Sequence, residues 1–183
     1  MFTQLHHLFR FVDETVAAIR AQFPEAVRCH PGCADCCHAV FDVSFIEAAA
    51  IAAYLRQHEE LRQRCRAAAE EAAAAYEELL RSAGDPALAR IRCPLLGDDD
   101  LCQAHGVRPV NCRTYGTPTL IDGRAHVCGL SGFASQGSYP TVDLVPLQRS
   151  LNHYSVALVG EDFGNRRFPI AWVVLRPEFF LPR

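Results

Sequence analysis

Four cysteines crowd into nine residues, Cys29-His-Pro-Gly-Cys33-Ala-Asp-Cys36-Cys37. Spacings of C-x3-C and C-x2-C suit metal capture, because the chain must curl before two thiolates can reach one ion or two cluster irons. Gly32 allows such a curl at no steric cost. Four more cysteines, Cys93, Cys102, Cys112 and Cys128, are spread over a second stretch, and Cys65 stands alone. Zinc, at about 2.3 Å from each sulfur, and iron-sulfur clusters both accept all-thiolate shells, so ligand type does not choose between them. Adjacent Cys36 and Cys37 are expected to point apart, which makes them awkward ligands for a single ion. Three arrangements stay open: two four-thiolate sites, one polynuclear site with shared sulfurs, or a single cluster held by four cysteines with the rest as support or redox thiols. Two four-thiolate zinc sites would be strongly anionic. Arg108 and Arg113 are the candidates to offset that charge and donate to sulfur, the plainer role for either being a surface charge.

Other chemistries fit less well. His30, His38, His105 and His126 lie near cysteines, so a mixed site is conceivable, but each alone reads as a neighbour rather than a ligand. Hydrolysis by zinc-bound water needs an open coordination position, and a Cys112–His105 nucleophilic pair needs a metal-free thiol. Cys29, Cys33 and Cys36 also have the C-x3-C-x2-C spacing of radical S-adenosylmethionine enzymes. The residues after Cys37 are alanine-rich and helical, not repeated strand-helix units. All 18 basic residues are arginine, which excludes phosphate-loop and Schiff-base lysines.

A net charge of −3 and a pI near 6.2 offer no footprint for a polyanion, so no nucleic-acid partner is expected. Charged residues interrupt the apolar positions of the N-terminus, so it does not read as a signal peptide or membrane anchor. The expectation is a cytoplasmic protein with no membrane contact, in a reducing compartment where clustered cysteines serve as metal or redox groups rather than disulfides. A protein partner is conceivable but has no signature, and no residue pattern supports catalysis.

The elements that must position the thiols are mainly helical. Leu5, Leu8, Phe9, Val12, Val16, Ile19 and Phe23 recur at helical steps, giving an N-terminal helix over residues 1–23 with a core-facing stripe. Ser44 with Glu47 matches a capping box and opens a helix to Gln57. A second helix, Glu59 to Ser82, carries Leu61, Cys65, Ala68, Ala72, Tyr76 and Leu79 on one face and alternating Arg and Glu elsewhere. Cys65 therefore reads as a small core residue. The two are expected to form an antiparallel hairpin, with Gly84 as a stop and Asp85-Pro86 opening a short helix through Arg90. Cys93 to Pro140 is irregular, apart from a short strand near Thr119 to Ile121, and calls for something other than a hydrophobic face to hold it. Gly129 to Pro140 is expected to be a mobile flap. Residues 146–183 form a last helix, ending at Gly160, and a tail in which Ile170 to Leu175 could be strand or helix. The fold expected is a single, mainly α domain of residues 1–183, its irregular metal-binding region at 29–128 packed on the hairpin.

The first cysteine group, Cys93-Pro94-Leu95-Leu96 and Arg108-Pro109-Val-Asn-Cys112-Arg113-Thr-Tyr115 together resemble the bacterial YkgJ-like cysteine-cluster family of zinc- or iron-chelating domains. The resemblance covers Cys29 to Cys128. It implies that Cys29, Cys33, Cys36, Cys37, Cys93, Cys102, Cys112 and Cys128 are the ligands, for zinc or an iron-sulfur cluster, in a structural or regulatory role. His105 stands where the family usually has tyrosine. Some relatives resemble a flagellin lysine methylase with an iron-sulfur cluster, which implies a second reading: an iron-sulfur redox protein, or an accessory to a methylase-like enzyme. Methyl transfer itself is not carried over, because no glycine-rich cofactor fingerprint comes after a strand.

Overall fold

The computed structural model describes residues 2–134 and 136–181. It is 54% helical, with eight α-helices among those residues, so the fold is mainly α. Helix α1 (Thr3–Gln22) buries Leu5, Phe9, Val12 and Ile19, the expected stripe. Helix α2 (Phe45–Gln57) is buried on nearly every face. A helix that is apolar all round belongs in the interior, and here it stands between two cores. Phe45, Ala48, Ile51 and Leu55 face one, with Leu61, Val173 and Phe180. Ile46 and Ala50 face the other, with Leu5, Phe9, Val110 and Leu151.

His58 alone separates α2 from α3 (Glu59–Arg81), as the polar break predicts. The chief neighbour of α3 is nevertheless not α2. Its stripe of Leu61, Cys65, Ala69, Ala72 and Ala73 lies mainly against a later helix (Ile170–Leu175), so the segment that periodicity left unassigned is helical. Arg62 with Glu59 and Arg66 with Glu70 pair on the solvated face. The helix ends on Ala83, not Gly84, in the left-handed conformation (φ 52°), while the Gly84 N–H closes the last turn on the Leu79 carbonyl.

The helix expected over 85–90 is a single turn. Asp85 caps it through the Ala87 N–H at 2.8 Å, but Leu88, 81% exposed, has nothing to pack on, and Arg90 leaves to bridge Ala39. Helix α4 (Val110–Thr114) packs on α1. The strand expected at Thr119 is β2 (Thr119–Ile121), since β1 (Asp42–Ser44) precedes it. It pairs antiparallel with β3 (Arg124–His126) and parallel with β4 (Val142–Asp143). Asp122 and Gly123 both have positive φ, the two-residue hairpin turn for which an Asp-Gly pair is suited. The segment expected as a flap is anchored: Phe133 is buried, its ring 6.0 Å from Phe23 and 4.9 Å from Tyr139, and Gly132 donates to the Ala26 carbonyl at 2.8 Å.

Helix α5 (Leu144–Val159) is capped by Asp143 and ends at Gly160. The rest of the chain is more regular than a tail: α6 (Glu161–Gly164), β5 (Arg167–Pro169), α7 (Ile170–Leu175) and α8 (Pro177–Phe180). Strand β5 pairs with β1, and Phe168, Phe179 and Phe180 surround Phe45. Among the described residues no helix is long and apolar enough to cross a membrane.

Candidate metal centre

The irregular segments meet at one cavity of about 750 Å³, and all eight grouped cysteines line it. Its walls include Val16 of α1, Ile51 of α2, Tyr76 of α3 and Ala171 of α7. Cys65 lies instead in the hydrophobic core, in agreement with its place on the apolar stripe.

The chain curls where Gly32 was expected to let it. Gly32 has φ 91°, and the Cys33 N–H closes a turn on the His30 carbonyl at 2.9 Å. A 3-10 turn over Asp35–Cys37 comes next. Its three residues per turn set consecutive side chains roughly 120° apart rather than opposite. The expectation that Cys36 and Cys37 diverge thus meets a tight turn rather than an extended backbone, and both residues line the same cavity as Cys102. Residues 90–93 run beside 37–39, with the Cys93 N–H on the Cys37 carbonyl at 2.6 Å and the Ile91 N–H on His38 at 3.0 Å. A hairpin fastened by Gln103 to Leu95 at 2.8 Å brings Cys102 alongside, and α4 presents Cys112. Beyond β3, the Cys128 sulfur accepts from the Leu130 N–H at 3.4 Å and faces Asp35 Oδ2 at 3.5 Å.

Two neighbourhoods result. Cys29 senses Cys33 and Cys128; Cys112 senses Cys93 and Cys102; Cys36 adjoins both sets. Burial pushes the Cys93 thiol up to about 12 and Cys112 well above its ordinary value. The neighbouring Cys37 thiol draws Cys36 and Cys102 down to about 7. Metal uptake at pH 7 is therefore expected to release protons, more fully from the raised thiols Cys93 and Cys112 than from Cys36 and Cys102. Raised thiols hold their protons until the metal competes for the sulfur, so apparent affinity climbs with pH across the neutral range and on toward the raised value of Cys93, about 12. Proton release followed with an indicator dye in weak buffer checks this; uptake without release would refute it.

The two candidate arginines divide. Arg113 is 6% exposed and fully engaged: it donates to Asp13 at 2.5 Å, to the Gly106 and Arg108 carbonyls, and lies 3.9 Å from the Phe9 ring centroid. It ties α1 to the 106–113 loop. Arg108 is the cation whose field lowers Cys36 and Cys102, and it pairs with His105. Burial first, and then the Arg108 cation, hold the His105 imidazole below its ordinary value. His30 and His38 engage neighbouring carbonyls at 2.8 and 3.0 Å.

Two positioning carboxylates were not evident from cysteine spacing. Glu47, 1% exposed, accepts from the Ser44 N–H (3.0 Å) and hydroxyl (2.8 Å) and also from the Val110 N–H (2.8 Å), so one carboxylate starts both α2 and the turn that carries Cys112. The capping box announced the first bond only. Asp35 accepts from Arg90 at 2.5 Å and Tyr115 at 2.7 Å. Partial burial acts against its charge, but the Tyr115 and Arg90 bonds prevail and hold the carboxyl below its ordinary value.

Gly116 leaves the space that the Cys29 thiol occupies. A Cβ at Gly116 would fall well inside contact distance of Cys29 Sγ, and φ there is 89°. Gly116→Ala is expected to cost about 1–2 kcal/mol in backbone strain and to swing Cys29 out of its neighbourhood. Denaturant unfolding reads the first effect and metal titration the second; wild-type values in both would contradict the cradle.

The fold and site together define a helical protein with a thiol-lined, metal-chelating type of centre. Residues 28–129 match the CxxCxxCC family model, described as "Putative zinc- or iron-chelating domain". The match spans more than half of the chain, and the chain belongs to that family. No curated protein and no solved structure matches it significantly.

Proposed function

We propose that the protein chelates zinc or an iron-sulfur cluster through the thiolates of Cys29, Cys33, Cys36, Cys37, Cys93, Cys102, Cys112 and Cys128, in a structural or regulatory role. The observation that carries this reading is selective: eight cysteines from separate loops line one cavity, and the ninth, Cys65, is packed in the core. The donor set suits zinc and iron alike, because both favour thiolate sulfur. Among the described residues no three His, Cys, Asp or Glu side chains stand at coordination geometry. Loading therefore involves loss of thiol protons and closure of the sulfurs by side-chain rotation.

Anaerobic purification with metal and acid-labile sulfide analysis, alongside a visible spectrum, tests the reading. Colourless protein with stoichiometric zinc, unchanged in Cys65→Ala, is the outcome for a zinc module. Brown protein with sulfide would move the reading to the iron-sulfur alternative, a redox protein or accessory to a protein-modifying enzyme. Metal-free protein under both preparations, with eight thiols alkylated at equal rates, would overturn it.

A further inference from the structure

Arg108 lines the same cavity as all eight grouped cysteines. Its Nε is buried and, among the described residues, has no hydrogen-bond partner. Buried donors are nearly always paired, and leaving a nitrogen of a cation unpaired costs more than leaving a neutral one. We propose that the Arg108 Nε–H donates to a metal-bound sulfur of the centre, so that a directed N–H···S bond, and not positive charge alone, steadies the loaded thiolates. This rests on the metal-chelating reading above and adds to it a residue that sets how tightly the centre is held.

The side chain is held at both ends. At its base, the Arg108 N–H closes a turn on the His105 carbonyl at 3.4 Å, and the Arg108 carbonyl accepts from Arg113 Nε at 2.8 Å. Pro109 follows as the cap of α4, the helix that carries Cys112. At its tip, Nη1 meets the His105 ring and Nη2 lies 3.6 Å from Asp13 Oδ1. With base and tip both engaged, the side chain is restrained from turning Nε out to water.

Arg113 provides the contrast. All three of its guanidinium nitrogens are engaged, with the Arg108 carbonyl, Asp13 and the Gly106 carbonyl, so it has none left for sulfur. The acceptors that the cavity offers to Arg108 are chiefly thiols. Of the two carboxylates on its wall, Asp13 is bound to Arg113 and Asp100 is exposed. A neutral thiol accepts weakly, whereas a metal-bound thiolate carries negative charge, and hydrogen bonds between a cation and an anion are the strong ones. Donation to such a sulfur favours the anionic loaded form and draws electron density from the thiolate.

Cobalt(II) titration of the metal-free full chain under anaerobic conditions tests the bond, since the energy of thiolate-to-cobalt absorption follows the electron density on sulfur. Arg108→Met keeps most of the stem and has no donor. It is expected to bind cobalt about 10–100-fold more weakly, the usual cost of losing an outer hydrogen-bond partner, at unchanged stoichiometry and with its charge-transfer band at longer wavelength. Arg108→Lys keeps the positive charge but has a methylene where Nε stands, and is expected to show the same band shift. Both bands are read at saturating cobalt, where a role in folding alone would leave them unmoved. If the methionine variant fails to fold, the lysine variant, which retains a cation for Asp13, decides. A wild-type band in Arg108→Lys would show that charge suffices and would overturn the Nε bond while leaving the chelating reading intact. A wild-type chain that takes up no cobalt would remove both.

Discussion

Stripping the metal from the loaded protein is expected to lower its thermal midpoint by about 8–16 °C and to unfasten the cysteine loops first. A structural thiolate site contributes on the order of 10 kcal/mol in domains that have no fold without it, comparable to the whole net stability of an ordinary domain. Here the gain is smaller, because two cores survive metal loss: Leu5, Phe9, Val12 and Leu151 around α1 and α5, and Phe45, Ile51, Leu55 and Phe180 around α2. The loops have no such reserve. Between Cys93 and Gly116 the buried apolar side chains are Leu95, Leu96, Ala104 and Val110, and much of the segment is held by single backbone bonds such as Cys93 to Cys37. At about 2–4 °C per kcal/mol for a chain of this size, a loss of about 4 kcal/mol gives the stated shift. Calorimetry of loaded and chelator-treated protein reads the midpoint, and hydrogen exchange reads the location. The expected pattern is faster exchange in 29–41 and 90–130 with α2 still protected. Midpoints within about 2 °C, with equal protection in the loops, would show that the metal does not organise them.

Glu47→Ala is expected to cost about 3–4 kcal/mol, more than any other substitution proposed for this chain. The carboxylate accepts three hydrogen bonds in the interior, from Ser44 N–H, Ser44 Oγ and Val110 N–H. Bonds to a charged group contribute about 1.5–3 kcal/mol each, and removing the acceptor leaves buried donors unpaired, although a cavity-filling water can recover part of the loss. Glu47→Gln keeps an acceptor oxygen and is expected to cost about half as much. Since the Val110 bond fixes the start of α4, the alanine variant should also bind metal more weakly through Cys112. Urea unfolding and metal titration check the two halves; a loss below about 1 kcal/mol would mean the carboxylate is not the fastening its geometry describes.

The features legible in the sequence were local. The Gly32 curl, the Ser44–Glu47 cap, the α1 stripe and the core position of Cys65 each depend on neighbours within a turn or two, and each appears in the structure. The family resemblance agrees with the matched model over residues 28–129. The hidden features were set at a distance. Glu47 meets Val110 across 63 residues and Asp35 meets Cys128 across 93, and no local spacing encodes either. Ile170 to Leu175 is too short for its period to be read, and its helix packs on α3 from far along the chain. At Asp85-Pro86 the start signal was genuine, but Arg90 was drawn away to Asp35 and the turn ended. The 3-10 turn that carries Cys36 and Cys37 has no mark in the cysteine spacing.

The separation of Asp35 from Cys128 also dictates a calendar. A ribosome makes the chain from its N-terminus at about 5–20 residues per second, so the first four thiols emerge several seconds before Cys128 exists. During that interval α2 and α3 are synthesised, and Cys29 and Cys33 have no Cys128 beside them. The centre therefore cannot be completed on the nascent chain until roughly two-thirds of it is made. Until then, the thiols of Cys29 to Cys37 are exposed to whatever oxidant or stray cation the surroundings supply.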